Sequence, residues 1–493
     1  MRGRAAGILL PISSLPSKYG IGTLGREAYH FVDQLVKAGQ KYWQVLPVGP
    51  TSFGDSPYQS FSAFAGNPYF IDLEMLIEQG LLREEDVAAC DWGNDPSDID
   101  YAKIYESRFR VLRKAFRNSK HKKDKKYRKF VKQSKYWLDD YALYMALKFY
   151  FGGKEWSAWE EEIRMHTKDA VKHYRKLLKR EIDFWKFCQF HFFEQWSRLK
   201  RYANKHGVKI IGDIPLYMAL DSADVWVHGD LFELDERKKP IHVAGVPPDC
   251  FSEDGQLWGN PLYNWKRMEK KDFSWWEKRM ESNARLYDVI RIDHFIGIVN
   301  YWSIPAGDKT AINGKWKKGP GQKLTKVIKR ATKGSDIIAE DLGVVGDNVR
   351  ALIKKTGWPG MKILLFAFDG NSSNEYLPHN YKNRNCVVYG GTHDNETIVG
   401  CYKEKSKKET RFLRDYLNIE ESDEIPWAMI RAGYASPADT AIFQMQDILE
   451  LDNSARMNLP STVGTNWRWR MLPNQFTDKH IKKLKKLSRL YSR

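Results

Sequence analysis

Short, nearly continuous apolar runs recur along the chain between Gly, Pro, Asn or Asp residues, a pattern typical of strands buried on both faces. We predict eight such strands, at residues 7–12, 42–48, 208–215, 289–294, 337–341, 362–368, 386–389 and 440–449. Helical segments separate several of them, as in folds that alternate strand and helix. The pattern therefore predicts an α/β protein built on a (β/α)8 barrel, the TIM barrel.

The spacing of the predicted strands is uneven and indicates large insertions. About 160 residues separate the second strand from the third, far more than a simple crossover needs. Apolar residues recur there at intervals of three and four, at 137–151 and 181–202, which predicts helices. We expect a helical insertion subdomain at residues 73–200. Residues 1–72 and 201–493 then form the catalytic barrel, with a loop-rich insertion around residues 219–285.

Acidic residues lie where three of the predicted strands meet a loop, at Asp293, Glu340 and Asp394. A buried strand normally excludes unpaired acids, because an ionised carboxyl loses its hydration there at a cost of several kcal/mol. Barrel enzymes place their chemistry at the carboxyl ends of the strands. We therefore expect the three acids to converge. Such a cluster suits sugar chemistry, with one acid attacking an anomeric carbon, one protonating the leaving oxygen and one supporting the cation-like transition state.

Strand alternation assigns directions to the neighbours of these acids. Arg291 and Asp293 share a face, and we expect the arginine to keep the carboxylate ionised, as a nucleophile requires. A purely structural ion pair is the alternative. Glu340 and Asp341 point to opposite faces. We choose Glu340 as the acid/base, because burial and neighbouring negative charge raise the pKa of a proton shuttle.

The composition limits the classes of partner. The 493-residue chain carries a net charge of +18, so a nucleic-acid partner must be considered. Much of the excess lies at residues 117–135 and 479–493, which we interpret as solvated lysine-rich helix faces, since no nucleic-acid-binding signature accompanies them. No apolar run reaches the roughly 20 residues of a membrane span. We expect neither nucleic acid nor membrane as a partner.

The cysteines and glycines argue against a cofactor. Five widely spaced cysteines, without a CxxC pair, favour a reducing cytoplasm and neither a disulfide framework nor a metal site. Residues 20–25 match GxGxxG, but Pro11 and Pro16 separate them from the first strand, and the second strand ends without an acid. We expect a flexible loop over the barrel mouth there rather than a nucleotide site.

The three acid-bearing segments resemble the catalytic regions of the α-amylase clan of glycoside hydrolases. Longer stretches resemble one branch, the 4-α-glucanotransferases of glycoside hydrolase family 77 (amylomaltase or disproportionating enzyme). These stretches are residues 9–25, 43–72, 212–226, 245–265 and 456–470. Residues 212–217 lack the Asn-His pair that typical α-amylases carry, which favours a transferase over a hydrolase. An α-glucan hydrolase and a non-catalytic glucan- or nucleic-acid-binding protein are the alternatives.

The resemblance implies roles for particular residues. Asp293 is the nucleophile, Glu340 the acid/base, and Asp394 the residue that favours a distorted sugar; the first two carboxyls lie about 5–5.5 Å apart in retaining enzymes. The implied substrate contacts are Tyr58, Asp213, Gln256, Trp258, Arg291, His294, His393 and Asn395. Donors are maltooligosaccharides or starch- and glycogen-type glucans, acceptors are glucose or an α-glucan, and no metal or cofactor is needed. Relatives commonly carry an aromatic residue where this chain has Cys250, so the resemblance does not carry acceptor stacking over to this position.

Overall fold

The computed structural model describes residues 3–52, 54–248, 252–343, 345–420 and 424–493. Its strands are β1 (Ala5–Leu9), β2 (Tyr42–Gln44), β3 (Lys209–Ile214), β4 (His242–Val246), β5 (Gln256–Pro261), β6 (Val289–Ile292), β7 (Asn300–Pro305), β8 (Lys315–Lys318), β9 (Asp336–Ala339), β10 (Gly360–Ile363), β11 (Cys386–Tyr389) and β12 (Thr440–Gln444).

The helices surround these strands. They are α1 (Arg26–Lys37), α2 (Leu73–Glu78), α3 (Glu84–Ala88), α4 (Tyr101–Asn118), α5 (Lys125–Tyr150), α6 (Glu161–Arg164), α7 (Lys168–Leu177), α8 (Lys179–Lys205), α9 (Ala223–Val227), α10 (Trp265–Lys270), α11 (Ser274–Leu286), α12 (Ile296–Val299), α13 (Gln322–Ala331), α14 (Asp347–Thr356), α15 (Ile398–Glu404), α16 (Lys407–Leu417), α17 (Ile425–Ala435), α18 (Met445–Ile448) and α19 (Asp478–Leu490).

Eight parallel strands form a nearly closed barrel in the order β10-β11-β12-β1-β2-β3-β6-β9. At the seam between β9 and β10, the Ala339 N–H donates to the Pro359 carbonyl at 2.9 Å. The Met361 N–H donates to Asp341 Oδ1 at 2.7 Å. The predicted (β/α)8 fold is confirmed, and Asp341 faces the seam rather than the barrel interior.

Most of the predicted strands end earlier than their apolar runs, and β1, β10 and β12 show the reason. After β1 the chain forms a short 3-10 helix at Ile12–Ser14, and after β10 another at Leu364–Phe366. After β12 it turns directly into α18. Ile12, Leu365 and Ile448 are all buried. The apolar run therefore reports burial, which continues into these turns, and does not report where the strand ends.

The long interval between β2 and β3 holds α2 to α8 and no strand within its described residues. The predicted helix at 181–202 lies within α8, and the one at 137–151 matches the second half of α5, which ends one residue earlier. α5 and α8 pack against each other. The lysine-rich segment 117–135 spans the end of α4 and the start of α5 and is largely exposed. None of the described helices is long and apolar enough to cross a membrane.

The insertion expected to be loop-rich is more ordered than the sequence indicated. Residues 219–285 contain α9, β4, β5, α10 and α11. β4 and β5 join β7 and β8 in an antiparallel sheet of order β5-β4-β7-β8. Because β7 and β8 lie beyond β6 in sequence, this sheet depends on pairing between distant segments, which local patterns do not reveal. β5 begins at Gln256 and so carries two of the implied substrate contacts, Gln256 and Trp258.

The glycine-rich segment at residues 20–25 is close-packed, so the expected flexible loop is wrong. Ile21 and Leu24 are buried. A Cβ added at Gly22 would lie 1.7 Å from the Ile12 carbonyl oxygen, and one at Gly25 would lie 1.9 Å from Asp72 Oδ2. These glycines therefore allow the chain to approach its neighbours closely.

The cysteines Cys90, Cys188, Cys386 and Cys401 are free thiols, and Cys250 lies outside the described residues.

Candidate active site

Asp293 and Glu340 emerge side by side from neighbouring strands. β6 pairs with β9 in parallel, with Ile292 opposite Ala339, and each acid is the next residue in its strand. The Asp293 N–H donates to the Ile214 carbonyl at 3.0 Å, and the Glu340 N–H donates to the Ile292 carbonyl at 3.1 Å. These bonds continue the strand ladder by one step. Both carboxyls therefore lie at the carboxyl end of the barrel, where barrel enzymes carry out their chemistry.

Arg291 joins two carboxylates on this floor. Its Nη1 donates to Asp213 at 2.8 Å (Oδ1) and 2.6 Å (Oδ2). The same nitrogen lies 3.0 Å from Asp293 Oδ1. The side chains of Arg291 and Asp213 are almost completely buried, whereas that of Asp293 is 27% exposed. The guanidinium is thus shared between a buried structural acid and the acid that faces the open pocket.

The net electrostatic effect on Asp293 differs from the expectation. Burial raises its pKa to about 6, and Asp213 and Asp394 act in the same direction, while Arg291 acts against them. The arginine therefore does favour the ionised form. Its effect is outweighed because burial and two nearby acids all disfavour a further negative charge.

Glu340 is held by two backbone donors. The His294 N–H donates to Oε2 at 2.6 Å, and the Leu342 N–H donates to Oε1 at 2.8 Å. His294 has a φ of 51°, a left-handed conformation that is costly for a non-glycine residue and that persists here beside the acid. Burial raises the pKa of Glu340 to about 7; Arg291 opposes this shift and Asp293 adds to it. Near neutral pH, Glu340 holds a proton more readily than Asp293 does.

Asp394 is kept ionised by its neighbours. Its Oδ2 lies 3.3 Å from His393 Nε2, and its Oδ1 accepts a hydrogen bond from Asn458 Nδ2 at 2.6 Å. Although burial acts in the opposite direction, His393 and Asn458 lower the pKa of Asp394 to about 2. Burial likewise opposes the charged imidazole, yet Asp394 raises the pKa of His393. Asp394 is therefore a fixed negative charge, unlike the other two acids.

Tyr58 contacts both Asp213 and His393. Its hydroxyl donates to Asp213 Oδ2 at 2.7 Å and lies 3.3 Å from His393 Nδ1. Its ring stacks on that of His393, with centroids 4.8 Å apart and planes 18° apart. Trp467 lies 5.8 Å from the Tyr58 ring and 5.9 Å from the His393 ring. One face of Tyr58 is therefore covered by His393, so any stacking platform for a sugar is limited to the other face.

Trp258, one of the implied substrate contacts, lies against His294, which is another. The Trp258 ring meets the imidazole edge-on, with centroids 4.8 Å apart, and Trp258 Nε1 donates to Gln256 Oε1 at 3.1 Å. The Oδ1 of Asn395 accepts hydrogen bonds from the Thr392 N–H and hydroxyl at 2.8 and 3.0 Å, and its expected contact with the substrate stays a prediction. Asn395 thereby shapes the turn that presents Asp394.

Several residues at the site were not predicted individually. Asn458 binds the Asp394 carboxylate, Arg456 Nη2 donates to the Asp394 carbonyl at 2.7 Å, and Trp467 packs beside Tyr58. They lie in irregular chain after α18, so no strand pattern singles them out. The only signal was their position within residues 456–470, a stretch similar to the glucanotransferases. Within the described residues, no group of three or more His, Cys, Asp or Glu is arranged to hold a metal ion.

Comparisons with known proteins agree with this geometry. A family profile described as 4-alpha-glucanotransferase matches residues 10–475. A 4-alpha-glucanotransferase of Clostridium butyricum is 51% identical over 98% of this chain and 99% of its own. One from Thermus thermophilus is 46% identical over 98% of both. The solved amylomaltase from Streptococcus agalactiae, in complex with acarbose, is 42% identical, with a TM-score of 0.96 over 99% of each chain.

Proposed function

The chain belongs to the 4-alpha-glucanotransferase family, and from that premise we propose that Asp293, Glu340 and Asp394 carry the transfer. The enzyme moves a segment of a 1,4-α-glucan to a new 4-position of an acceptor by a retaining double displacement. One observation carries the assignment. Asp293 and Glu340 follow adjacent strands with raised pKa values, while Asp394 has a lowered one. The pKa of Glu340, about 7, suits an acid/base, and the lowered pKa of Asp394 suits a fixed charge. Asp293, with a pKa of about 6 and in contact with Arg291, is the more readily ionised of the two strand-end acids, as a nucleophile requires.

In the first half of the reaction, an ionised Asp293 oxygen attacks the anomeric carbon of the donor. Glu340 gives its proton to the glycosidic oxygen as the C1–O bond breaks, and the remainder of the glucan leaves with a new 4-hydroxyl. The donor segment is then held as a β-linked ester on Asp293. Asp394 accepts hydrogen bonds from hydroxyls of this sugar and stabilises its oxocarbenium-like form.

In the second half, the acceptor 4-hydroxyl attacks the same carbon and gives its proton to Glu340. The ester bond breaks and the Asp293 carboxylate is restored. Transfer exceeds hydrolysis when the acceptor is held in place, because an oriented reactant reaches effective molarities of about 10⁵ M or more. We assign Gln256 and Trp258, which are hydrogen-bonded to each other beside His294, to the acceptor side, where a bound acceptor displaces water from the ester.

The substrates are α-glucans. We assign maltooligosaccharides and starch- or glycogen-type glucans as donors, and glucose or another α-glucan as acceptor. The solved relative is in complex with acarbose, a carbohydrate-like ligand, which supports a substrate of this chemical class. We place the enzyme in the cytoplasm, without a nucleic-acid or membrane partner; the free thiols of the described cysteines support a reducing compartment.

Pure maltotriose tests the proposal. We expect glucose together with longer oligomers, at a constant total of reducing ends, because each broken bond is replaced by a new one. Asp293→Asn and Glu340→Gln should lower kcat by about 10³-fold or more. Asp415→Asn, at a side chain 75% exposed, is the matched control. Reducing ends that rise in step with cleavage would establish hydrolysis instead, and full turnover by Asp293→Asn would remove the assigned nucleophile.

A further inference from the structure

A second pocket, of about 180 Å³, lies between the helical insertion and the segments that follow β3. Its walls come from α5, from the chain between β2 and α2, from α9 with the turn after it, and from α10 and α11. The lining residues are Ser62, Phe64, Tyr136, Trp137, Asp140, Tyr141, Ala223, Asp224, Val227, His228, Leu231, Lys271, Ser274, Trp275 and Lys278. The lining shares no residue with the active site described above, so the pocket is a separate feature.

Aromatic rings form the apolar part of this pocket. Phe64 lies at their centre, 5.7 Å from Tyr136 at 90°, 6.4 Å from Trp137 at 13° and 6.2 Å from Trp275 at 85°. Phe64, Trp137 and Trp275 are more than 90% buried, whereas Tyr136 is 37% exposed and stands at the rim. Aromatic surfaces of this kind bury the apolar faces of ligands. The Tyr136 hydroxyl lies 2.5 Å from Ser282 Oγ, so Tyr136 offers its ring rather than its hydroxyl.

Carboxylates and a histidine form the polar part. Among the hydrogen bonds of the described residues, Asp140 uses only Oδ1, which accepts from Arg175 Nη2 at 2.8 Å. Burial raises the pKa of Asp140, while Arg175 and His228 act against this shift. Asp224 is already occupied, since it accepts the Ala63 N–H at 2.8 Å and Trp275 Nε1 at 3.1 Å. Asp140 and His228 are therefore the polar groups placed to meet a ligand.

The charges of the pocket favour a neutral ligand over an anion. The two lysines are engaged at the rim: Lys271 Nζ lies 2.6 Å from Asp230, and Lys278 Nζ lies 5.9 Å from the centre of the Tyr136 ring. Asp140 and Asp224 in the wall repel phosphate and other anions. Hydroxyl groups suit such a site, because they donate to carboxylates and accept from imidazole. The volume suits a single sugar ring rather than a chain.

We propose that this pocket is a second, non-catalytic glucan site that holds one terminal glucose unit of a 1,4-α-glucan, an inference that rests on the proposed substrate class. The sugar packs a C–H face on the aromatic rings and directs hydroxyls to Asp140 and His228. A long glucan engaged both here and in the cleft binds more tightly than a short one, because the second contact is made at a high effective concentration.

Two pocket variants test this proposal in the full-length enzyme. Tyr136→Ala removes the rim ring, and Ser274→Phe fills the cavity from an exposed lining position. We expect each to raise the KM for long amylose about tenfold and to leave maltotriose kinetics unchanged, because a trisaccharide occupies the cleft alone. Tyr150→Ala, on the same helix and 51% exposed but outside the pocket, should match the wild type with both substrates.

The outcomes separate this proposal from the enzymatic one. Wild-type protein that fails to disproportionate maltotriose would contradict the proposed function. Normal maltotriose turnover with an unchanged KM for amylose in both pocket variants would overturn the second site alone. If either variant fails to fold, crystals of the wild type soaked in maltose decide: density for a glucose unit beside Tyr136 supports the site, and an empty pocket overturns it.

Discussion

Among single side chains, Asp293 and Glu340 must be in opposite protonation states although they share nearly the same environment. The nucleophile must be ionised and the acid must be protonated when substrate binds. Burial raises both pKa values, and Arg291 opposes both shifts. Arg291 contacts Asp293 directly at 3.0 Å, so it favours the charge on that residue over a charge on Glu340. The arginine thereby separates the two pKa values in the order that the reaction needs.

The pH dependence of kcat/KM follows from these two shifts. Activity should fall as pH drops through about 6, because Asp293 becomes protonated, and fall again as pH rises through about 7, because Glu340 loses its proton. We therefore expect a narrow bell between these limits with maltotriose as substrate. In Glu340→Gln the residual activity should lack the alkaline limb. An alkaline limb that survives in this variant would assign it to another group.

Among the structural elements, α5 is fastened to the chain after β3 by a buried polar cluster. Asp221 accepts from Tyr144 and from Lys148 Nζ, both at 2.5 Å, and from the Trp156 N–H at 3.3 Å. The side chains of Lys148 and Asp221 are only 10% and 18% exposed. This cluster joins the helical insertion to the barrel segment that follows Asp213, and so fixes one wall of the cleft.

Lys148→Met should destabilise the protein by about 2 kcal/mol, because it leaves Asp221 partly buried without its cation. The urea midpoint of unfolding measures this change. Lys403→Met is the matched control: its ion pair with Asp452, at 3.0 Å, is 61% and 45% exposed, so less than about 1 kcal/mol is expected. Equal midpoints for the two variants would show that the cluster does not fasten the insertion.

For the molecule as a whole, buried titratable groups set a pH range of greatest stability. Burial lowers the pKa of His166 and His191 from 6.5 to about 4. The free energy of unfolding therefore decreases as pH falls from about 6.5 to 4, because over that range the unfolded chain binds protons that the folded protein does not. Asp447 is fully buried. Its Oδ1 accepts the Ile398 N–H at 2.7 Å, and its Oδ2 has no hydrogen-bond partner among the described residues. Burial raises its pKa from 3.8 to about 7, so stability is lost as pH rises across that range.

The variant Asp447→Asn tests how much Asp447 contributes to the pH dependence of stability. Because the variant cannot ionise there, the wild type should lose about 3 kcal/mol more of its free energy of unfolding between pH 5 and pH 8 than the variant does. Urea denaturation at a series of pH values measures the difference. Asp415→Asn, at an exposed side chain, should follow the wild type throughout. Parallel curves for wild type and Asp447→Asn would contradict a neutral buried Asp447.

The sequence by itself determined the barrel and where its acids lie. Strands buried on both faces need apolar runs, and an acid that ends such a run is visible without coordinates. All eight predicted strands therefore correspond to barrel strands, and Asp293 and Glu340 follow β6 and β9 directly. Strand ends were less accurate, because the turns after β1, β10 and β12 are as buried as the strands themselves.

Only the tertiary structure decided what surrounds those acids. Arg291 is shared between Asp213 and Asp293, so the net shift in the pKa of Asp293 is upward, which no local pattern reveals. Asn458 lies in irregular chain after α18 and yet binds the Asp394 carboxylate. β4 pairs with β7, although the barrel strand β6 lies between them in the sequence. The pairing of strands, the burial of a side chain and the net shift in a pKa each depend on segments that lie far apart in the chain. Only the folded structure brings those segments together.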